Sequence, residues 1–376
     1  MTRLDAIKQI KTVDKAAQGK LTRREFNKAL GVFGVSTVAM PMMARPALSA
    51  AEVLYFTWAG WEDPKLFPAY MGKYGAPDAT FFNDEYEAIE KLRAGFKADV
   101  VSPCIDVMPR WMGADLLPLD ESRISHLGDT FEVLRSPDAA FRDGERYFVP
   151  HFWGFNSFVY RTDMVDFGSD EESWAALFDE RYKGKISVWD STDAVIPIAS
   201  LVLGFTDDPY KPTGERLERV AELLRKQREL VRFYWGSSTE ALQALMAGEV
   251  AISFAWTLFH SEIKDAPVPL KWATPKEGQL SFNCGLALGN RTRDAAASHE
   301  FIDACMAPEA GKYMIEEFNY GHSNKKSFDL ADPELLAMLH LSSPEDALNR
   351  GHAYDYVPPE IKNEHIALFD EIKAGF

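Results

Sequence analysis

The chain has 376 residues, a formal net charge of −16 from 41 Lys and Arg against 57 Asp and Glu, and three cysteines. That balance argues against nucleic acid or anionic lipid as a partner and leans weakly towards a cationic solute. The length suffices for two domains with separate cores.

In chain order the first feature is Thr22-Arg23-Arg24-Glu25-Phe26-Asn27-Lys28, followed by an apolar stretch from Ala29 to Ala44 and the small residues Ala47-Leu48-Ser49-Ala50-Ala51. This is the pattern of a twin-arginine export signal over residues 1–51, cleaved to give a mature chain from about Glu52. An ordinary N-terminal helix with a chance Arg-Arg pair is the alternative. The apolar run is short and rich in Gly and Pro for a membrane span. The signal predicts a periplasmic protein and makes the twin-arginine translocase an expected partner. No Cys stands at the mature start, so a freely diffusing form is expected rather than a lipid-anchored one.

Short β runs then alternate with amphipathic helices, the pattern of a mostly parallel sheet covered by helices. Val53 to Phe56 reads as the first strand, Tyr86 to Phe96 as a helix with Ile89, Leu92 and Phe96 on its buried stripe, and Ala98 to Val101 as the second strand. Lys185 to Trp189 reads as a strand, Val195 to Leu203 as a buried helix and Leu217 to Val231 as a charged surface helix. Ser237-Ser238-Thr239-Glu240 matches a capping box opening a helix that stops at Gly248, before a strand from Val250 to Phe254. Ala295 to Phe318 and Pro359 to Phe376 carry helical periodicity.

Catalytic and cofactor motifs are missing from the mature chain: there is no GxGxxG after a strand, no P-loop, no HExxH and no GxSxG elbow. Cys104, Cys284 and Cys305 lack CxxC spacing, an odd count that leaves at least one free thiol, and the eight His show no metal-type spacing. No cofactor and no metal is therefore expected. An exported enzyme with a dispersed active site remains the alternative to a binding protein.

Aromatic and small polar residues stand where strands end, the place an α/β fold puts its ligand cleft. Trp58 and Trp61 follow the first strand, Ser102-Pro103-Cys104 the second, Trp189-Asp190-Ser191 a third and Trp256 a fourth, while Phe282 and Cys284 precede Gly285. Ring faces attract an organic cation, each contributing roughly 0.5 to 2 kcal/mol depending on desolvation. Burial in the core is the competing fate of any one of these rings.

The chain resembles the periplasmic solute-binding proteins of ABC importers, in their spermidine/putrescine-binding branch. The resemblance is carried, in order, by Leu54 to Trp61, Ala98 to Pro103, Tyr147 to Gly154, Ser173-Trp174 to Ile186, Gly248 to Trp256 and Pro275 to Gly278. It implies an α/β, two-lobed type II fold with hinge strands and a cleft between the lobes, 52–157 plus 284–328 forming one lobe and 158–283 plus 329–376 the other. It also implies a small-molecule amine as ligand, an inner-membrane ABC permease as partner, and no catalysis. Carried over position by position, it puts Trp58, Trp61, Ser102, Trp256 and Tyr320 at cleft positions and Phe282 where the family often has Trp.

The acids that polyamine binders present are replaced by Gly60, Ser191, Ala194 and Cys284, with Glu62, Asp190 and Asp193 close in sequence. Burying an ammonium without a paired charge is costly. Three cargoes remain open: a polyamine, if a nearby acid enters the cleft; a quaternary or capped amine, held by ring faces; and a zwitterionic or carboxylate solute, served by the helix start at Ser237 to Glu240. The ligand-binding set expected from the sequence is Trp58, Trp61, Ser102, Asp190, Ser191, Trp256, Phe282, Cys284 and Tyr320.

Overall fold

The structure is a computed structural model that describes residues 53–375 apart from Asn83, Asp265 and Arg291; the twin-arginine segment lies outside the described residues. The strands in chain order are β1 (Leu54–Trp58), β2 (Asp78–Phe82), β3 (Val100–Val101), β4 (Phe141–Arg142), β5 (Glu145–Arg146), β6 (Val149–Arg161), β7 (Ile186–Trp189), β8 (Val231–Trp235), β9 (Ile252–Ala255), β10 (Leu270–Trp272), β11 (Leu280–Leu288), β12 (Gly321–His322) and β13 (His352–Ala353). All but the β4–β5 hairpin join one curled sheet in the order β2-β1-β3-β11-β6-β9-β7-β8, with β10 and β12 on β6 and β13 on β11.

Two strands explain how this sheet becomes two lobes. β6 is buried from Val149 to Tyr160, an unbroken run of the kind a strand covered on both faces requires. Its first part, to Asn156, pairs antiparallel with β11 and β12, and from Ser157 onwards it pairs with β9 and β10. β11 runs the other way, from Leu280 opposite Asn156 to Leu288 opposite Val100 of β3. A strand that changes partners midway crosses from one core to the other, and β6 and β11 are the crossings. On one side Tyr55, Phe67 and Phe301 pack on one face of the sheet and Phe56, Phe148 and Trp111 on the other. On the other side lies the larger core around Trp174, Trp235, Phe254 and Leu224, which also takes in Phe131, Leu134, Trp153 and Phe155. The fold is the expected two-lobed α/β type.

The sheet is mixed rather than mostly parallel. Strand–helix–strand units keep β1, β2 and β3 parallel in one lobe and β7, β8 and β9 parallel in the other, but the crossing strands pair antiparallel with each other and with β3, β9, β10 and β12, only β13 running parallel to β11. Three other expectations shift. The surface helix is Gly214–Arg228 and ends early, because Val231–Trp235 extends to pair with β7. The helix Ser238–Ala247 starts at N-cap Ser237 without a side-chain cap bond, so the capping box does not close, although Gly248 does stop it with φ 70° in the left-handed region. The segment from Ala295 divides into helices Ala295–Cys305 and Pro308–Tyr313 and a wide turn Met314–Phe318, ended by left-handed Asn319. The C-terminal helix Pro359–Ala374 packs on Gly214–Arg228 and is tied down by Lys362–Asp193 and Lys373–Asp190 ion pairs.

Candidate functional site

At the strand ends between the lobes lies a cavity of about 500 Å³. Trp58, the last residue of β1, lines it from one lobe, its indole N–H donating to the Ser102 carbonyl at 3.3 Å and its ring packed on Phe82 at 4.6 Å. From the other lobe Trp256, just past β9, stands edge-on to Trp189 at 5.1 Å and Trp235 at 5.0 Å. Phe282 reaches the cavity from β11 across Gly154, where an added Cβ would meet the Phe282 ring at 2.6 Å and the Thr257 hydroxyl at 2.7 Å. Gly154 is thus the residue that lets the crossing strands set this ring.

Carboxylates share the same space. Glu85 opens the helix Glu85–Arg93, whose N-cap Asp84 accepts from the Glu87 N–H at 2.9 Å. Its own buried carboxylate accepts from the Cys104 N–H at 2.9 Å and the Trp111 indole at 2.8 Å. Asp106 follows two residues after Cys104, in the short turn Ile105–Val107. Burial, reinforced by the charge of Asp106, pushes Glu85 up to about 8; burial and Asp193 push Asp106 up to about 7. A positive group entering the cavity would oppose both shifts. Two cations are already in the wall: Lys362, paired with Asp193, and Arg110, whose guanidinium lies 4.8 Å over the Tyr86 ring.

Aromatic faces and carboxylates around one space are complementary to positive charge, and among the described residues no group of three His, Cys, Asp or Glu is arranged for a metal.

Of the residues expected from the sequence, Trp58, Ser191, Trp256, Phe282 and Cys284 line the cavity, Ser191 also capping the helix Thr192–Val202 through the Asp193 N–H at 3.2 Å. Cys284 is joined to Cys104 by a disulfide in the wall, and Cys305 is the free, buried thiol. The other four are placed elsewhere, each for a visible reason. Ser102 is fully buried beneath Trp58, its hydroxyl shared between the Tyr55 hydroxyl and the Gly285 carbonyl, both at 3.3 Å. Trp61 stacks on Phe152 at 4.1 Å and Phe318 at 5.3 Å, and Tyr320 closes that cluster behind Phe282. Asp190 is turned outwards to Lys373, at 2.6 Å. Glu62 is used by its own loop, accepting from the Gly60 N–H at 2.6 Å, whereas Asp193 does reach the cavity.

The sequence reading missed Glu85, Asp106, Arg110 and Tyr354-Asp355-Tyr356, all in the cavity wall. Asp106 lay within reach of it: it stands two residues beyond the Ser102-Pro103-Cys104 strand exit. The anion-binding helix start expected at Ser237 to Glu240 is not part of this wall.

The sequence pattern of bacterial extracellular solute-binding proteins matches residues 84–337. The spermidine/putrescine-binding periplasmic protein of Salmonella typhimurium is 22% identical over 356 residues, covering 92% of this chain and 98% of the relative. Among solved structures, the spermidine/putrescine ABC transporter substrate-binding protein PotD of Streptococcus pneumoniae superposes with a TM-score of 0.74 at 19% identity, over 86% of this chain and 99% of that one. The PBP MotA from A. tumefaciens B6, in complex with glucopine, reaches 0.67 at 20% identity, over 86% and 100%. Among the described residues no helix is long and apolar enough to cross a membrane. A matched pattern over most of the chain and a two-lobed fold shared with these relatives lead to one conclusion: the chain belongs to the bacterial extracellular solute-binding proteins, as the periplasmic solute-binding component of an ABC importer and not an enzyme.

Proposed function

We propose that the solute is a small organic amine, polyamine-like or methylated, captured between the lobes and delivered to the membrane permease. The observation that carries this reading is the meeting of Trp58 and Trp256 with the carboxylates of Asp106 and Glu85 in one cavity. Ring faces and acids are complementary to the same ligand charge, and the cost of crowding the two acids falls when an ammonium joins them. The relatives named for spermidine and putrescine support the class of ligand. Trp58, Glu85, Asp106, Ser191, Trp256, Phe282 and Cys284 form the contact set in this reading. Trp61, Ser102 and Tyr320 back it from behind, and Asp190 anchors the C-terminal helix.

Capture proceeds by closure of lobe 52–157 plus 284–328 on lobe 158–283 plus 329–376, with bending where β6 and β11 cross. Ligand favours the closed form only by its preference for it over the open one. Export through the twin-arginine translocase, directed by Arg23 and Arg24, completes the reading. A second solute class, a zwitterion, is favoured by Arg110 and Lys362 in the same wall.

A thermal-shift screen against putrescine, spermidine, choline, betaine, amino acids and simple carboxylates tests the choice. Ligand at about a hundred times its Kd adds roughly 2.7 kcal/mol of stability. A shift with amines alone supports the reading, a shift with betaine or amino acids alone transfers it to the zwitterion, and a shift only with carboxylates overturns both.

A further inference from the structure

Cys104 holds both acids of the aromatic cavity through its backbone. Its N–H donates to Glu85 at 2.9 Å, and its carbonyl accepts from the Val107 N–H at 3.1 Å, closing the turn Ile105–Val107 that carries Asp106. Its side chain is bonded to Cys284, and both cysteines line the cavity. One residue therefore ties the acid pair to β11, two positions beyond Phe282.

Little else makes that tie. Cys104 and Cys284 face each other in an isolated antiparallel bridge, and the pairing of β11 with β6 slips between Cys284 and Gly285. The Gly285 N–H donates to the Pro103 carbonyl at 2.8 Å, and the Ser102 hydroxyl donates to the Gly285 carbonyl at 3.3 Å. Those two bonds hold the chain as far as Pro103; beyond it the covalent link to β11 is the disulfide. Cys104 is partly exposed and Cys284 only 4% exposed, so a thiolate entering the cavity meets Cys104.

We propose that the Cys104–Cys284 bond is a redox gate on the solute site: intact, it positions Glu85 and Asp106 for the ligand, and opened, it releases them and weakens capture. Cys104 is then a positioning residue. A thiolate of a dithiol reductant attacks Cys104 Sγ, the S–S bond breaks, and Cys284 Sγ leaves with the electron pair and takes up a proton. The second thiol of the reductant attacks the mixed disulfide, Cys104 Sγ leaves and is protonated, and the reductant departs two electrons poorer as its own disulfide. A disulfide oxidant runs the same steps backwards. Such bonds persist outside the cytosol and are rare inside it, so a chain with this gate becomes competent where it meets its cargo.

The gate rests on the amine reading above for its probe. The test is calorimetric titration with spermidine and putrescine of oxidised protein, of protein reduced with dithiothreitol, and of the Cys104→Ser/Cys284→Ser variant in both conditions. Oxidised protein should bind about tenfold tighter than reduced protein, and the variant should match the reduced form and ignore the reductant. Reduced wild type carries the comparison alone should the variant fail to fold. A second readout needs no solute: carbon-13 NMR of the Glu85 carboxyl, assigned with Glu85→Gln. The Cys104 N–H favours the ionised carboxylate against burial and the charges of Asp106 and Asp84, so opening the bond should raise the pH at which Glu85 ionises. A bridge that only stabilises the fold would move the urea midpoint and neither of these. Equal affinities in the oxidised and reduced forms overturn the gate and leave the amine reading standing. Binding of neither amine by either form overturns the amine reading, and the Glu85 signal then decides the gate: a higher midpoint on reduction upholds it, and an unmoved one overturns it.

Discussion

Cys104 and Cys284 are joined across the cavity wall by a disulfide that closes a loop of 180 residues, tying the segment after β3 to the crossing strand β11. Cross-linking a loop of that length removes much of the unfolded chain's freedom, and a native bridge of this kind typically contributes about 2 to 4 kcal/mol. Reduction, or the Cys104→Ser/Cys284→Ser pair, is expected to lower stability by that amount. Urea midpoints for oxidised and reduced protein read it directly, and coincident midpoints would remove the bridge from the account of stability.

Affinity for a cationic ligand should rise with pH through neutrality. Folded Glu85 and Asp106 ionise at about 8 and about 7, above their unfolded values, so the empty protein binds more protons than the unfolded chain between the ordinary carboxylate range and those values. Their contribution to stability is present below that window and is lost as pH rises through it. A bound ammonium favours the ionised acids, so binding releases protons. Titration at pH 6 and pH 8, in buffers of differing ionisation enthalpy, should show tighter binding at pH 8 and proton release at pH 6. Pure proton uptake at pH 6 would contradict the placement of the acids against the ligand.

Acid should weaken the fold for a separate reason. His151 is buried with neither ring nitrogen hydrogen-bonded among the described residues, its centroid 5.6 Å from that of His322. Burial holds His151 well below its ordinary value, and lowers His322 to about 4. With folded values below unfolded ones, the unfolded chain binds more protons from about 6.5 downwards. Stability is then lost as pH falls, by at most about 1.4 kcal/mol per pH unit for each group. His151→Phe should flatten this acid limb between pH 6.5 and 4.5 in urea unfolding. An unchanged limb would move the effect to other residues.

Trp256→Ala removes a ring face from the cavity while leaving Trp189 and Trp235 on their strands. Ligand affinity should drop more than tenfold with the near-ultraviolet circular dichroism otherwise retained. Equal affinity would take Trp256 out of the contact set.

Much of the local structure was legible because local chemistry decides it. The strands at Leu54, Ile186 and Ile252, the helix Thr192–Val202 and the stop at Gly248 follow from apolar runs and one left-handed glycine. What escaped depends on partners distant in sequence. Whether Val231–Trp235 extends is settled by β7, and whether Trp61 meets solvent or a stack is settled by Phe152 and Phe318. Asp106 and Glu85 escaped because each has an ordinary place in its own element. Only the approach of Cys104 to Glu85 makes them neighbours of a cavity, and sequence spacing carries no trace of that.

The change of partners along β6 at Asn156 and Ser157 has a thermodynamic consequence. Each lobe borrows part of the same strand to complete its sheet, so neither retains a finished core once the other has come apart. Heating should therefore melt the molecule as one cooperative unit, a single calorimetric transition with equal calorimetric and van't Hoff enthalpies, despite its two-lobed outline.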